Sequence, residues 1–220
     1  MLTYAIGDIH GCADQLDRLL GKIEEHRAGR ARKLVFLGDY IDRGRDSAKV
    51  VAALEQLQIA DPEGVICLRG NHEQMMLDAI RTGDDQLYEH WLVNGGEAAL
   101  ASFEAAMPDG MNRKTLTWIS QLPLTTEDTQ RYFVHAGFDP RRPAPQEDTK
   151  TCLWIREPFL DAVHDFGKHV VHGHTPLVSG EPDVRSFRTN LDTGCVFGGW
   201  LTAGVFTDDQ ARAVEFLQVQ

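Results

Sequence analysis

The sequence predicts an α/β fold built on a parallel sheet. Two observations support this prediction. Three short apolar runs each end in a polar turn that contains glycine, and a helical pattern follows each turn. Such βαβαβ alternation is typical of parallel strands joined by right-handed crossovers. Because ligands gather at the carboxyl ends of such strands, the three turns are expected to form a site at one edge of the sheet.

The first predicted strand, residues 4–6, ends at the turn 7–11, which carries Asp8 and His10 between two glycines. Leucine and isoleucine follow at helical spacing, so we predict an amphipathic helix that ends before Gly29. This arrangement puts a carboxylate and an imidazole at the carboxyl end of the first strand.

The second strand, residues 34–37, ends at a turn that holds two carboxylates and a guanidinium: Asp39, Asp42 and Arg43. Ser47 is expected to cap the helix that follows. A third strand at 65–68 leads into the turn 69–73. The parallel arrangement therefore brings five polar side chains to one edge of one sheet: Asp8, His10, Asp39, Asn71 and His72.

Residues 74–122 have a helical pattern, with breaks at Gly83, 94–96 and 108–110. No piece is long enough to form a core of its own, so we predict a helical insert beside the site, within a single domain that spans residues 1–220. We keep the name helical insert for residues 74–122. The rest of the chain is β-rich, with three strand candidates at 132–135, 170–172 and 200–206. Residues 140–145 are rich in proline and are predicted to form a loop.

The composition argues against several classes of partner. A formal net charge of −11 disfavours binding to nucleic acid or to an anionic membrane, which depends on clustered Lys and Arg. No segment reaches the roughly 18 consecutive apolar residues of a membrane helix. Four scattered cysteines without a Cys-x-x-Cys pair fit reduced thiols in the cytoplasm. Because the net charge is negative, any anionic ligand must be bound by a local positive site.

Six side chains at predicted strand ends combine oxygen and imidazole donors: Asp8, His10, Asp39, Asn71, His135 and His174. This mixture suits Mn, Fe or Zn ions better than calcium, whose sites are nearly all oxygen. Each residue alone has a simpler explanation, because aspartates cap helices, asparagines shape turns and buried histidines form hydrogen bonds. Their convergence from five strand ends favours a metal site.

Five glycine-bearing motifs in order along the chain resemble those of a known family: residues 7–11, 38–44, 69–73, 135–137 and 173–176. They resemble the phosphoprotein phosphatase family of the calcineurin-like metallophosphoesterases, and most of all its compact bacterial and phage-type serine/threonine phosphatases. The resemblance implies a sandwich of two mixed β-sheets flanked by helices. It also implies two divalent metal ions, with Mn²⁺ preferred and Fe or Zn as alternatives, and direct attack on phosphorus by an activated hydroxide.

The resemblance assigns roles residue by residue. Asp8 and His10 would bind the first metal, and Asp39 would bridge both. The second metal would be held by three residues: Asn71, which also belongs to the substrate-binding set, His135 and His174. His72 would be the general acid, with Asp42 as its orienting partner. Two arginines would bind the phosphoryl group: Arg43 and Arg156.

Several residues keep alternative interpretations. His172 competes with His174 for the metal role, because strand alternation turns both the same way. A surface salt bridge is the alternative for Arg156. Glu73 is expected to support a ligand rather than touch metal, and Trp91 to pack in the core. The stretch 190–194 resembles one near the site of bacterial relatives, although a turn is sufficient to explain it.

The leading functional hypothesis is a serine/threonine protein phosphatase, whose partner is a phosphorylated protein. The alternative is a hydrolase of dinucleoside polyphosphates such as diadenosine tetraphosphate, because such enzymes share nearly every motif. The two would differ around residues 84–122 and 138–150. A third hypothesis, a non-catalytic scaffold on the same fold, is disfavoured because every ligand position and the acid histidine are filled.

Overall fold

The structure is a computed structural model that describes residues 1–106 and 112–220. Ten strands fold into two sheets of five. In chain order they are β1 (Leu2–Ile6), β2 (Arg32–Phe36), β3 (Val65–Cys67), β4 (Thr125–Glu127), β5 (Arg131–Val134), β6 (His169–His172), β7 (Asp183–Val184), β8 (Arg188–Asn190), β9 (Leu201–Thr207) and β10 (Glu215–Val219).

Both sheets are mixed. The first has the order β10-β9-β1-β2-β3 and the second the order β4-β5-β6-β8-β7. Three adjacent strands are parallel in each sheet: β1, β2 and β3 in the first, and β5, β6 and β8 in the second. Apolar side chains of both sheets, among them Val35 and Val171, form one buried cluster between them. The predicted sandwich of two mixed sheets is thus confirmed.

Seven α-helices are described. They are α1 (Ala13–Arg27), α2 (Ser47–Ala60), α3 (Asn71–Thr82), α4 (Asp85–Trp91), α5 (Glu97–Ala106), α6 (Arg113–Gln121) and α7 (Thr149–Trp154). Helices α1, α2 and α3 pack on the outer face of the first sheet in the largest apolar cluster. None of the helices in the described part of the chain is long and apolar enough to cross a membrane.

The strands and helices predicted in the first third of the chain are present, although their ends are shifted. The predicted N-terminal cap of α2 is wrong. Asp46, not Ser47, precedes the helix, and neither residue makes a capping bond there. Ser47 is already helical, and its hydroxyl instead accepts a hydrogen bond from the backbone N–H of Asp42 at 3.1 Å. Its buried side chain therefore supports the turn before the helix rather than the helix end.

The breaks predicted in the helical insert have different structures. Gly83 ends α3 in the left-handed conformation, as expected. The break predicted at 94–96 is confirmed as a kink, because Gly95, in the segment Leu92–Gly96 that joins α4 to α5, has a non-helical φ of 106°. The break predicted at 108–110 lies outside the described residues.

Register explains why the site forms where it does. Ile6 pairs with Phe36, and Phe36 with Cys67, so the first three strands end side by side. In the second sheet Phe133 pairs with Val171, and their strands run in parallel. The turns that follow these strands therefore face one another across the sandwich.

Candidate active site

Asp39 lies at the centre of the polar cluster, directly beyond β2. Its Oδ2 is 3.4 Å from Nε2 of His10, and its Oδ1 is 3.4 Å from Nε2 of His135. These histidines come from different sheets. The buried carboxylate of Asp39 thus presents one oxygen to each of two groups of donors, which is the arrangement expected of a bridging ligand.

The donor group on the second sheet's side consists of Asn71, His135 and His174. Oδ1 of Asn71 is 2.8 Å from both Nε2 of His135 and Nδ1 of His174. Nδ1 of His135 is 2.9 Å from the carbonyl of Leu37. Because a carbonyl can only accept, this nitrogen carries the proton and Nε2 presents a lone pair. Two lone pairs then face each other across 2.8 Å, an arrangement that a bound cation would stabilise.

The donor group on the other side contains His10. Its Nδ1 donates to the carbonyl of Ile41 at 2.8 Å, so its Nε2 is also free of a proton. Asp8 lies nearby, and its oxygens accept from the backbone N–H of His174 at 3.1 and 3.2 Å. Two compact groups have candidate ligand atoms that all lie within 4.8 Å of one another, and Asp8 belongs to neither of them: His10, Asp39 and His72, and Asp39, His135 and His174.

The electrostatics fit a cation at both places. Burial lowers the pKa of His10 to about 3 and that of His174 to about 2, so both imidazoles are neutral and can bind metal. Burial, together with the charges of Asp192 and Asp39, raises the pKa of Asp8 well above its usual value. Crowded carboxylates and neutral imidazoles are the donor chemistry that a divalent metal requires.

Asp192 is a residue of this site to which sequence reasoning gave no role. It lies 4% exposed in the stretch 190–194, beyond β8. Its pKa is raised to about 7, chiefly by burial, and its charge in turn raises the pKa of Asp8. Asn190 ends β8, the residues 191–193 have no regular structure, and the stretch borders the metal-ligand candidates. The resemblance to bacterial relatives was the signal that pointed to it.

His72 and Asp42 form a buried pair beside Asp39. Nδ1 of His72 is 2.7 Å from Oδ2 of Asp42, and its Nε2 is 3.9 Å from Oδ2 of Asp39. Burial alone would lower the pKa of His72, but the charge of Asp39 and the hydrogen bond to Asp42 outweigh it and raise the pKa. A histidine that holds its proton is suited to donate it rather than to bind metal.

Trp91, expected to serve as core packing, also contacts this pair. It is fully buried, and its indole Nε1 lies 3.0 Å from each carboxylate oxygen of Asp42. A buried indole N–H needs an acceptor, so a tryptophan predicted to be buried is the sequence signal that could have suggested a polar contact.

Glu73 supports the same turn as expected: its carboxylate accepts from the backbone N–H groups of Asp39 and Tyr40 at 2.9 and 2.8 Å.

Both predicted phosphate-binding arginines are exposed at the rim. Nη1 of Arg43 lies 2.5 Å from Nε2 of His10, and its guanidinium carbon is 5.4 Å from the ring centre of Phe197. Arg156 contributes to lowering the pKa of His135 and His174. Within residues 1–106 and 112–220, no ion pair holds Arg156, so the salt-bridge alternative gains no support.

His172 is buried but does not join the cluster. Its Nδ1 lies 3.1 Å from the carbonyl of Gly173, and its Nε2 lies 3.5 Å from Nη1 of Arg188. Its ring packs edge-on against Phe159. The structure therefore brings His174, and not His172, together with the other candidate ligands.

The backbone of the site is strained. Among the described residues, six other than glycine have positive φ, and five of them are candidate site residues: His10, Asp39, Asp42, Arg43 and His174. Such conformations cost free energy and persist only where surrounding contacts impose them. Gly38, at φ 104°, shows how tight the packing is, because a Cβ there would lie 2.9 Å from Nδ1 of His135.

Comparison with known proteins identifies relatives of both substrate types. The chain is 33% identical over 209 residues to serine/threonine-protein phosphatase 1 of Salmonella typhimurium, covering 91% of this chain and 89% of that protein. It is 29% identical over 235 residues to the asymmetrical bis(5'-nucleosyl)-tetraphosphatase PrpE of Oceanobacillus iheyensis, covering 95% and 90%. A crystal structure provisionally named a diadenosine tetraphosphatase superposes with a TM-score of 0.72 at 23% identity, covering 99% and 92%.

The family model for calcineurin-like phosphoesterases matches residues 1–199. This match contains all the motifs of the cluster and most of the chain. The chain belongs to the calcineurin-like phosphoesterase family and is a hydrolase of phosphoester bonds.

Proposed function

We propose that the chain is a serine/threonine protein phosphatase that uses two divalent metal ions for direct attack on phosphorus. The observation that carries this proposal is the pairing of the buried Asp42–His72 dyad with Asp39, whose two oxygens face separate donor groups. One side of such a site can activate water, and the other can protonate the leaving group.

The residues divide the work. Asp8 and His10 would hold one ion, Asn71, His135 and His174 the other, and Asp39 both. When bound, the ions lower the pKa of water and neutralise phosphoryl oxygens. Mixed carboxylate, amide and imidazole donors favour Mn²⁺, with Fe or Zn as alternatives.

The guanidinium groups of Arg43 and Arg156 would bind and orient the phosphoryl oxygens through paired donors. His72 would donate the proton on its Nε2 to the departing oxygen, while Asp42 fixes the ring through Nδ1. These local positive groups explain how a chain of net charge −11 could bind a dianion.

The acid favours phosphoserine and phosphothreonine as substrates. The alkoxides of serine and threonine are strong bases and leave readily only when protonated. A nucleotide leaving from a phosphoanhydride is a much weaker base and gains little from an acid. A buried His72 whose pKa is raised is therefore most useful for an alkyl phosphate.

A second candidate, a dinucleoside polyphosphate hydrolase, is favoured by a cavity beside Arg43. The cavity has a volume of about 430 Å³ and is lined in part by Phe197 and Trp200. Phe197 is 63% exposed and Trp200 38% exposed, so both rings are free to stack on a planar base. Phe197 also adjoins Arg43, which would bring a base next to the phosphate-binding group.

The choice between these substrates has a direct test. The wild-type protein and the variant Trp200→Ala are assayed in parallel on a phosphoserine peptide and on diadenosine tetraphosphate. If the protein is a protein phosphatase, the peptide is the better wild-type substrate. If the nucleotide is preferred and Trp200→Ala raises its KM about tenfold, the second candidate replaces the first. Cleavage of neither substrate, with turnover of an aryl phosphate, contradicts both.

The metal requirement is tested by chelation. Protein stripped of metal should be inactive on p-nitrophenyl phosphate and should recover with Mn²⁺, whereas Asp39→Asn should recover far less because the bridging anion is lost. Full activity in excess chelator, after verified metal removal, would contradict the two-metal proposal.

We also propose that the protein works in the cytoplasm. The four cysteines are free thiols, which favours a reducing compartment such as the cytoplasm.

A further inference from the structure

We infer that the helical insert holds the Asp42–Arg43 turn in its working geometry, with Trp91 and Gly95 as the two positioning residues. The inference rests on the proposed function, because it assigns the insert a task in that reaction. The two residues are four positions apart, at the end of α4 and inside the kinked segment Leu92–Gly96.

Trp91 holds Asp42. Its Nε1–H lies 3.0 Å from both carboxylate oxygens, on a group whose other side-chain partner is Nδ1 of His72 at 2.7 Å. The indole, the carboxylate and the imidazole are all buried. Gly96 packs tightly against the Trp91 indole and fixes it in place, since a Cβ at position 96 would lie 2.7 Å from the ring. The carboxylate therefore keeps the orientation in which it supports His72.

Gly95 holds Arg43. Its carbonyl accepts the backbone N–H of Arg43 at 3.0 Å. Its φ is 106°, and a Cβ there would lie 2.7 Å from the backbone nitrogen and Cγ of Arg43. Only glycine allows this close approach. The kink between α4 and α5 supplies it, because Gly95 leaves the helical conformation there and turns its carbonyl toward Arg43.

The turn needs this support because it is strained. Asp42 has φ 70° and Arg43 has φ 64°, conformations that residues with a side chain rarely adopt without external constraint. The insert supplies hydrogen bonds to both residues, one to a side chain and one to the backbone. The two contacts should therefore affect different steps. Trp91 acts through Asp42 on protonation of the leaving group, and Gly95 acts through Arg43 on phosphate binding.

The first experiment removes the indole N–H with Trp91→Phe. Its matched control is Trp118→Phe, which also deletes an indole N–H in the insert, there bonded to Gln58 at 2.8 Å. We expect kcat on a phosphoserine peptide to fall about tenfold or more, while kcat on p-nitrophenyl phosphate changes less than about twofold, since its leaving group needs no acid. KM should stay constant for both. Trp118→Phe should match wild type on both substrates.

The second experiment is Gly95→Ala, with Gly83→Ala as its control. Gly83 also has positive φ, at 65°, but no atom lies within 4 Å of an added Cβ. Both variants place a side chain at a positive φ, but only Gly95→Ala adds a Cβ that would displace Arg43. We expect KM for p-nitrophenyl phosphate and the inhibition constant of inorganic phosphate to rise about tenfold in Gly95→Ala alone.

A double-mutant cycle separates positioning from general stability. In an Asp42→Asn background, Trp91→Phe should have little further effect on kcat, because its route through the carboxylate is already lost. Equal slowing of both substrates by Trp91→Phe, or an undiminished effect in the Asp42→Asn background, would overturn the role of Trp91. If Trp91→Phe does not fold, NMR tests the contact instead. The indole N–H proton resonance of Trp91 should shift between wild type and Asp42→Asn, and an unchanged resonance would overturn the contact.

The outcomes also separate this inference from the proposed function. Suppose that the wild-type protein hydrolyses p-nitrophenyl phosphate only with metal and that the variants are indistinguishable from their controls. This result overturns the positioning role of the helical insert and leaves the proposed function standing. Wild-type protein without metal-dependent turnover overturns both.

Discussion

At the residue scale, the partner of each Nδ1 separates the histidines of the site into two chemical types. In His10 and His135 this nitrogen donates to a backbone carbonyl, which leaves Nε2 unprotonated. In His72 it faces a carboxylate, and the pKa is raised. A neutral acceptor thus fits an imidazole for metal binding, whereas an anionic acceptor fits it for proton donation.

This distinction predicts the behaviour of His72→Ala. The loss of the acid should slow hydrolysis of a phosphoserine peptide by about 10²–10⁴-fold, the usual contribution of general acid catalysis. Turnover of p-nitrophenyl phosphate should fall far less. The ratio of the two kcat values measures the effect, and His164→Ala, which removes an imidazole away from the motifs, is the control. Equal losses on both substrates would show that His72 acts in another way.

His169, a histidine away from the candidate metal ligands, should contribute to acid sensitivity, as should the other buried histidines whose pKa is lowered. His169, at the start of β6, is buried, and its Nε2 lies 2.8 Å from the hydroxyl of Thr189. Burial, helped by the charge of Arg212, lowers its pKa to about 4. Between about pH 6.5 and 4 the unfolded chain therefore binds a proton that the folded chain does not, so stability must fall as the pH falls through this range.

The part of this loss due to His169 should be about 2 kcal/mol in the free energy of unfolding, allowing for solvent screening of the exposed Arg212, and it equals the difference between wild type and His169→Gln. Urea denaturation at pH 7 and pH 4.5 measures it. His169→Gln cannot gain a proton and should lose less stability over the same interval. An identical pH dependence in the variant would assign the acid sensitivity to other groups.

At the element scale, the polar turns were the predictable part of the molecule. The strands before them are apolar, and parallel strands in register place their ends together, so Asp39 and Asn71 could be brought to one edge from sequence alone. Two short polar strands could not be found. Strand β4 is Thr125–Glu127 and β7 is Asp183–Val184, and neither contains an apolar run that would reveal it.

One helix cap was predicted wrongly because a tertiary contact overrides the local preference. Ser47 has the side chain of a helix cap, but the strained turn before α2 uses its hydroxyl at Asp42. The glycines at 94–96 have the composition of a break, and the chain does kink there, but their contact with Arg43 could not be predicted. Ser47 and Gly95 both contact the turn 38–44, and such long-range contacts are absent from local sequence patterns.

At the scale of the whole molecule, the candidate metal site joins the two sheets. Asp8, His10, Asp39 and Asn71 follow strands of the first sheet, whereas His135 and His174 follow strands of the second. In the described residues the two sheets also share a buried apolar cluster that includes Val35 and Phe133. Ions held by ligands from both sheets would therefore act as cross-links between the halves of the sandwich.

Metal binding should consequently raise the melting temperature, because ions that bind only the folded chain stabilise it by mass action. A free Mn²⁺ concentration of about 100 times Kd corresponds to about 2.7 kcal/mol. For a chain of this size, that is a rise of roughly 5–10 °C. Calorimetry of metal-stripped protein with and without Mn²⁺ measures the shift. Asp39→Asn should lose most of it, because its carboxylate contacts ligands of both sheets, whereas His164→Ala should keep it. An equal shift in Asp39→Asn would mean that the ions bind elsewhere on this acidic chain, and that the two sheets are held together without them.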